Sequence, residues 1–141
     1  MLPVTADDSR IRRLYELPLL FLLGGVLYYA LELLVRGRSH WSMALCGGLC
    51  LWLIYGLCRE RPRLPLPVRA LLSASLITGV EFVAGCVLNL WLGMNIWDYS
   101  SMPYQLLGQI CLPYSVLWFL LGFPAVLVCT AIRRGIFFDD V

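Results

Sequence analysis

Four long apolar runs, separated by short polar or proline-broken segments, constrain this chain more than any other feature. They extend from Leu17 to Val35, Trp41 to Cys58, Val68 to Gly93 and Tyr104 to Ile132. The second run has 18 residues, roughly 27 Å as a helix, close to the bilayer hydrocarbon core of about 30 Å. Apolar residues make up 60% of the chain and charged ones 14%, against about 45–50% and about 25% in soluble domains. Water cannot cover that much apolar surface. The predicted fold class is therefore all-α, an integral membrane four-helix bundle. Its helices are expected at about 15–36, 41–58, 68–93 and 104–132. They make up a transmembrane domain over 15–133, between a cytoplasmic N-terminal segment (1–14) and a cytoplasmic C-terminal tail (134–141). This composition excludes a soluble enzyme, a nucleic-acid-binding module and a secreted disulfide scaffold.

The charges predict an orientation. All eleven basic residues are Arg, and they cluster at the ends of the apolar runs. With the N-terminus inside, Arg10, Arg12, Arg13, Arg59, Arg61, Arg63, Arg69, Arg133 and Arg134 are cytoplasmic, and only Arg36 and Arg38 are outside. Cytoplasmic segments of membrane proteins are enriched in such charge, so an N-in/C-in, multi-pass arrangement follows. A charged start before an apolar run is shared with signal peptides, but the first run is long and has no A-x-A-like cleavage site. It reads as a retained helix. Pro62, Pro65 and Pro67 forbid helix continuation between runs two and three, and Pro113 and Pro124 are expected to kink the last helix. Trp41, Trp97, Tyr99 and Tyr104 are expected at the outer membrane interface, with Tyr15 and Tyr55 near the inner one.

A carboxylate within a bilayer is costly, about 2.5–3.5 kcal/mol for Asp at a helix centre on insertion scales. Glu81 lies near the middle of run three, on a stripe with Ala74, Thr78, Gly85 and Asn89. Small and polar residues on one face let a second helix approach and hydrogen-bond. Two readings of Glu81 follow: an acid that joins helices, or a proton- or cation-handling group in a polar cavity. Glu32 has Arg36 four residues later, in the favourable order for an ion pair on one helix face. The last run offers a face of Gln105, Gly108, Gln109, Leu112, Ser115, Phe119 and Gly122. Together these faces predict a polar binding site made of Glu32, Arg36, Glu81, Asn89, Asp98 and Gln109. Asn95, Asp98 and Ser100 read equally well as turn residues that satisfy a loop backbone.

No catalytic constellation is present. His40 is the only His; solvated at the interface it has no required role, and as a base it would need Asp98 nearby. No G-x-x-x-x-G-K-[ST] loop occurs to cradle phosphates, nor G-x-S-x-G or H-E-x-x-H. The six cysteines lie within apolar runs and read as small buried hydrophobes. Cys46 and Cys50 share a helix face, but no His or carboxylate completes a tetrahedral metal set. The chain is expected to be no enzyme, with no cofactor and no metal.

From run three onward the residues Thr78-Gly79-Val80-Glu81-Phe82, Asn89, Trp97-Asp98-Tyr99-Ser100, Gly108-Gln109-Ile110-Cys111-Leu112, Trp118 and Gly122 resemble the bacterial ABC-transporter type IV, or CmpB-like, membrane proteins. Glu32-Leu33-Leu34-Val35-Arg36-Gly37 and Gly47-Gly48 extend the resemblance, which covers about residues 24–122. It implies a transport or permease-type subunit in a bacterial cell membrane. The partners it implies are the lipid bilayer, a second copy of the chain, or a separate membrane or ATPase subunit, with no nucleic acid. The reading of the residues alone leaves a second function open, a structural or partner-binding membrane protein whose buried acids hold helices together.

Overall fold

A computed structural model describes residues 6–135. Helix α1 spans Ala6–Arg36 and α2 Trp41–Glu60; α3, Leu66–Gly85, runs on into a π-helical segment at Cys86–Trp91. Two short strands, β1 (Gln105–Leu106) and β2 (Ile110–Cys111), precede α4, Leu112–Gly135. Among the described residues, four stretches are long and apolar enough to cross a membrane: Leu14–Arg36, Trp41–Glu60, Leu66–Trp91 and Leu112–Arg134. The fold class is all-α with four such helices, as the apolar runs predict. Helix α1 takes in residues 6–14 of the segment expected to precede it, while residues 1–5 and 136–141 lie outside the described residues.

Helix ends follow local chemistry. Gly37 adopts a left-handed φ of 70° and donates its N–H to the Leu33 carbonyl at 2.9 Å, closing α1 as a left-handed cap does. Pro65 precedes α3 and Pro67 sits in its first turn, where a missing N–H has no intrahelical partner to lose.

The last helix departs from the sequence expectation. It starts at Leu112 rather than Tyr104, because 104–111 form an antiparallel hairpin pairing Gln105 with Cys111 and Leu106 with Ile110. Tyr104, Leu107 and Gly108 have φ of 51°, 52° and 70°, conformations that no right-handed helix accepts. Pro113 accordingly lies in the first turn of α4 and does not kink it, whereas Pro124 lies inside. The end of run three differs too. The N–H of Leu92 reaches the Val87 carbonyl at 2.9 Å, a five-residue spacing that makes the last turn π rather than α.

Contacts divide the chain into two compact units. One holds α1, α2 as far as Trp52, and α4 from Ala131 onward; the other is Leu53–Thr130. In the first unit α1 and α2 meet through glycines. A Cβ on Gly24 would come within 2.5 Å of the Gly47 carbonyl oxygen and of Leu51 Cβ, and one on Gly47 within 2.3 Å of Tyr28 Cβ. In the second unit, α3 and α4 approach at Ala70 and Gly122, where an added Cβ would lie 2.8 Å from the Ala70 carbonyl oxygen. Small residues at such points let backbones pack closely, which is how helices adhere in lipid.

Gly24→Ala is therefore expected to destabilise the protein by roughly 1–3 kcal/mol through overpacking. Gly56→Ala, with no atom within 4 Å of the new Cβ, is expected to be neutral or stabilising by up to about 1 kcal/mol. Thermal unfolding in detergent micelles separates the two.

Candidate functional site

The polar residues of the second unit assemble around the segment that joins α3 to α4. Glu81, on α3, is 6% exposed. Its Oε1 accepts from the Tyr99 hydroxyl at 2.8 Å and its Oε2 from the Trp118 indole Nε1 at 3.1 Å. Tyr99 and Trp118 are themselves buried. Tyr99 stacks on Tyr114 with ring centroids 4.7 Å apart, and Tyr114 in turn contacts Trp118 at 6.3 Å. The carboxylate thus faces donors from the connector and from α4, inside an aromatic wall.

Two turns further along, the π-helical segment presents Asn89, also buried. Its Nδ2 donates to Gln109 Oε1 at 2.9 Å, and its Oδ1 accepts the Ile96 N–H at 2.7 Å. Gln109 is held twice more: its Nε2 donates to the Leu107 carbonyl at 2.9 Å and its own carbonyl accepts from Trp97 Nε1 at 3.0 Å. Tyr99 N–H bonds the Gly108 carbonyl at 2.8 Å, which ties the Glu81 and Asn89 groups into one network. Gly85 supplies the space: a Cβ there would lie 2.5 Å from Gln109 Oε1 and 3.0 Å from Trp97 Cζ2.

Of the residues expected at a polar site, Glu81, Asn89 and Gln109 come together in this network. Asp98 is exposed in the connector, where it accepts from the Ser100 backbone N–H at 2.9 Å and from the Ser100 hydroxyl. Those bonds hold its carboxyl below the usual carboxylate range, so it acts as a turn residue. Glu32 and Arg36 pair with each other in the first unit at 3.5 Å, and Glu32 also accepts from Ser39 at 2.8 Å. His40 lies within 2.7 Å of the Ser42 hydroxyl and against the Trp41 ring. Trp97 and Tyr99, expected at the membrane interface, are 5% and 4% exposed and serve as buried donors. Tyr55 is buried as well, while Trp41 and Tyr104 remain exposed.

Trp97, Tyr99 and Trp118 are the functional neighbours that sequence reasoning missed. A buried Tyr hydroxyl or Trp N–H needs a partner, so an aromatic residue next to polar ones was a usable signal. The stripe on α3 is one face in the structure: Ala74, Glu81, Gly85 and Asn89 are buried, and Thr78 meets Ser115 of α4 at 3.3 Å. Beside it lies an open, mostly apolar groove of about 630 Å³ lined by Leu71, Thr78, Phe82, Ile110, Ser115 and Phe119 among others.

The family model described as "Putative ABC-transporter type IV" (ABC_trans_CmpB) matches residues 20–138. The chain belongs to that family. No curated protein and no solved structure matches it. The matched region contains the whole Glu81–Asn89–Gln109 network, three of the apolar helices and the first from residue 20 onward, so family membership and the candidate site concern the same residues.

Leu at position 81 would fill a similar volume but leave the Tyr99 hydroxyl and Trp118 N–H without this acceptor, at about 1–3 kcal/mol for each buried donor left unsatisfied. Glu81→Leu is expected to lower the unfolding temperature markedly. Glu81→Gln is expected to lower it little, since its carbonyl can accept from Trp118 while the Tyr99 hydroxyl rotates to accept from the amide. Unfolding followed by Trp fluorescence reads both.

Proposed function

We propose that this protein is a non-catalytic membrane subunit of a transport assembly, in which Glu81 locks the α3–α4 connector in place and does not carry the transported solute. The observation behind this reading is that both oxygens of the buried carboxylate accept from fixed protein donors, Tyr99 and Trp118. A carboxylate that binds and releases a cation or proton during transport needs exchangeable partners. This one is enclosed by aromatic side chains that stack on each other. Family membership supports the transport setting. The sequence holds no phosphate-binding loop of the G-x-x-x-x-G-K-[ST] type, so ATP-driven movement calls for a separate ATPase subunit.

The two functions weighed from sequence are distinguished by one substitution. Under the locking reading, purification from native membranes yields a stoichiometric partner subunit. Glu81→Gln retains that partner, and Glu81→Leu loses it as the connector loosens. Robust proton or cation flux through liposomes holding the purified chain alone, abolished by Glu81→Gln while the fold persists, would overturn this reading in favour of a solute-handling carboxylate.

The reading places the protein in a bacterial cell membrane with both termini cytoplasmic, which the nine-to-two distribution of Arg supports. A fluorescent protein fused at the C-terminus is then expected to fluoresce, and alkaline phosphatase fused at the same point to be inactive. The converse pair of results would reverse the orientation.

A further inference from the structure

The turn that joins α2 to α3 concentrates the exposed charge of the second unit. Arg59 stands in the last turn of α2 and is half-buried, while Glu60, Arg61 and Arg63 are exposed. None of the three arginines has an ion-pair partner among the described residues, where the acid–base contact is that of Glu32 with Arg36. Three Arg against one Glu leave residues 59–63 with a net charge of +2. The backbone holds these groups in place. Arg61 N–H donates to the Leu57 carbonyl at 2.9 Å, and the Arg61 carbonyl accepts from Leu64 N–H at 3.3 Å. Arg61-Pro62-Arg63-Leu64 is thus a β-turn with proline at its second position, where the ring presets φ. Pro65 and Pro67 follow directly, so little backbone freedom remains for a ligand to remove.

Depth decides what such a turn can meet. Only residues 61–65 separate two helices that are each long and apolar enough to span the bilayer. Out and back, five extended residues reach about 9 Å at most, and a closed β-turn reaches less. The headgroup layer is about 5–7 Å thick on each face of the hydrocarbon. Arg61 and Arg63 are therefore kept at the level of the lipid phosphates, where a partner in the aqueous phase would have to displace lipid to reach them. Beside them Leu64 and Leu66 are half-buried and Val68 is 40% exposed, an apolar footing for acyl chains. The planar guanidinium matches phosphate oxygens two at a time.

We propose that the Arg61–Leu64 turn, with Arg59 beside it, binds an anionic phospholipid through its headgroup phosphate. The inference needs α2 and α3 to span the bilayer and is independent of the role assigned to Glu81. Each arginine at an anionic surface gains about fivefold in affinity, so Arg61 and Arg63 together supply about 25-fold. A choline headgroup brings its own cation against the arginines and cancels much of that gain.

The test titrates the full-length protein in detergent with dioleoyl phosphatidylglycerol and, separately, with dioleoyl phosphatidylcholine, counting bound lipid by native mass spectrometry. Phosphatidylglycerol is expected to bind about tenfold tighter or better. Arg61→Gln with Arg63→Gln is expected to bring the two lipids within about threefold of each other. Arg61→Lys with Arg63→Lys is expected to keep the preference, and Arg38→Gln, before the other end of α2, to leave it unchanged. Inorganic phosphate at equal concentration is expected not to compete. Equal binding of the two lipids, a preference that survives the double Gln variant, or displacement by inorganic phosphate overturns the proposal. Should the Gln variant not fold, the salt dependence of the wild-type protein decides. A preference lost between about 50 mM and about 500 mM salt supports the site, and one that salt leaves unchanged overturns it. A protein partner lost from the double Gln variant in native membranes, with no phosphatidylglycerol preference in the wild type, overturns it in favour of an acidic protein surface.

Discussion

Everything in the second unit depends on how a carboxylate is accommodated among apolar helices. Lipid supplies no hydrogen bonds, so each polar group at membrane depth must find its partner within the protein. Glu81 meets this demand by drawing donors from two places that are distant in sequence, Tyr99 in the connector and Trp118 in α4. The cost of placing an acid there fixes where the connector can lie. Hydrophobic packing alone would not do so, because a leucine contacts a protein side chain and a lipid tail about equally well.

The same demand explains the irregular backbone between α3 and α4. A π-turn, a hairpin with two-residue strands and several left-handed residues all expose backbone groups that a helix would satisfy by itself. Here side chains answer them: Asn89 takes the Ile96 N–H, Gln105 Oε1 the Gly108 N–H and Gln109 the Leu107 carbonyl. Non-helical backbone near a membrane is tolerated where protein groups cover it in this way. Leu107, at φ 52°, holds a conformation costly for a residue with a Cβ, and the bonds on either side over-determine it.

The sequence carried some of this plainly and concealed the rest. The spans were legible because run length and composition report directly on burial in lipid, and Glu81 stood out because, apart from Arg69 at its very start, nothing else in run three is charged. The Glu32–Arg36 pair followed from helical spacing alone. What stayed hidden was non-local. A tryptophan beside a loop reads the same whether its N–H faces headgroups or a buried carbonyl, and so the bonds that Trp97 and Tyr99 donate inside the protein were not legible. Strands as short as 105–106 and 110–111 leave no alternating pattern, and the run from Tyr104 therefore looked like a longer helix. The Asn89–Gln109 bond spans 20 residues, and no periodicity encodes it.

The glycine contact between α1 and α2 bears on how the chain is made. Every group in that contact lies between Phe21 and Leu51, and only residues 37–40 separate the two helices. Closing so short a loop costs little entropy. This helical hairpin can zip together while the ribosome is still translating the remainder.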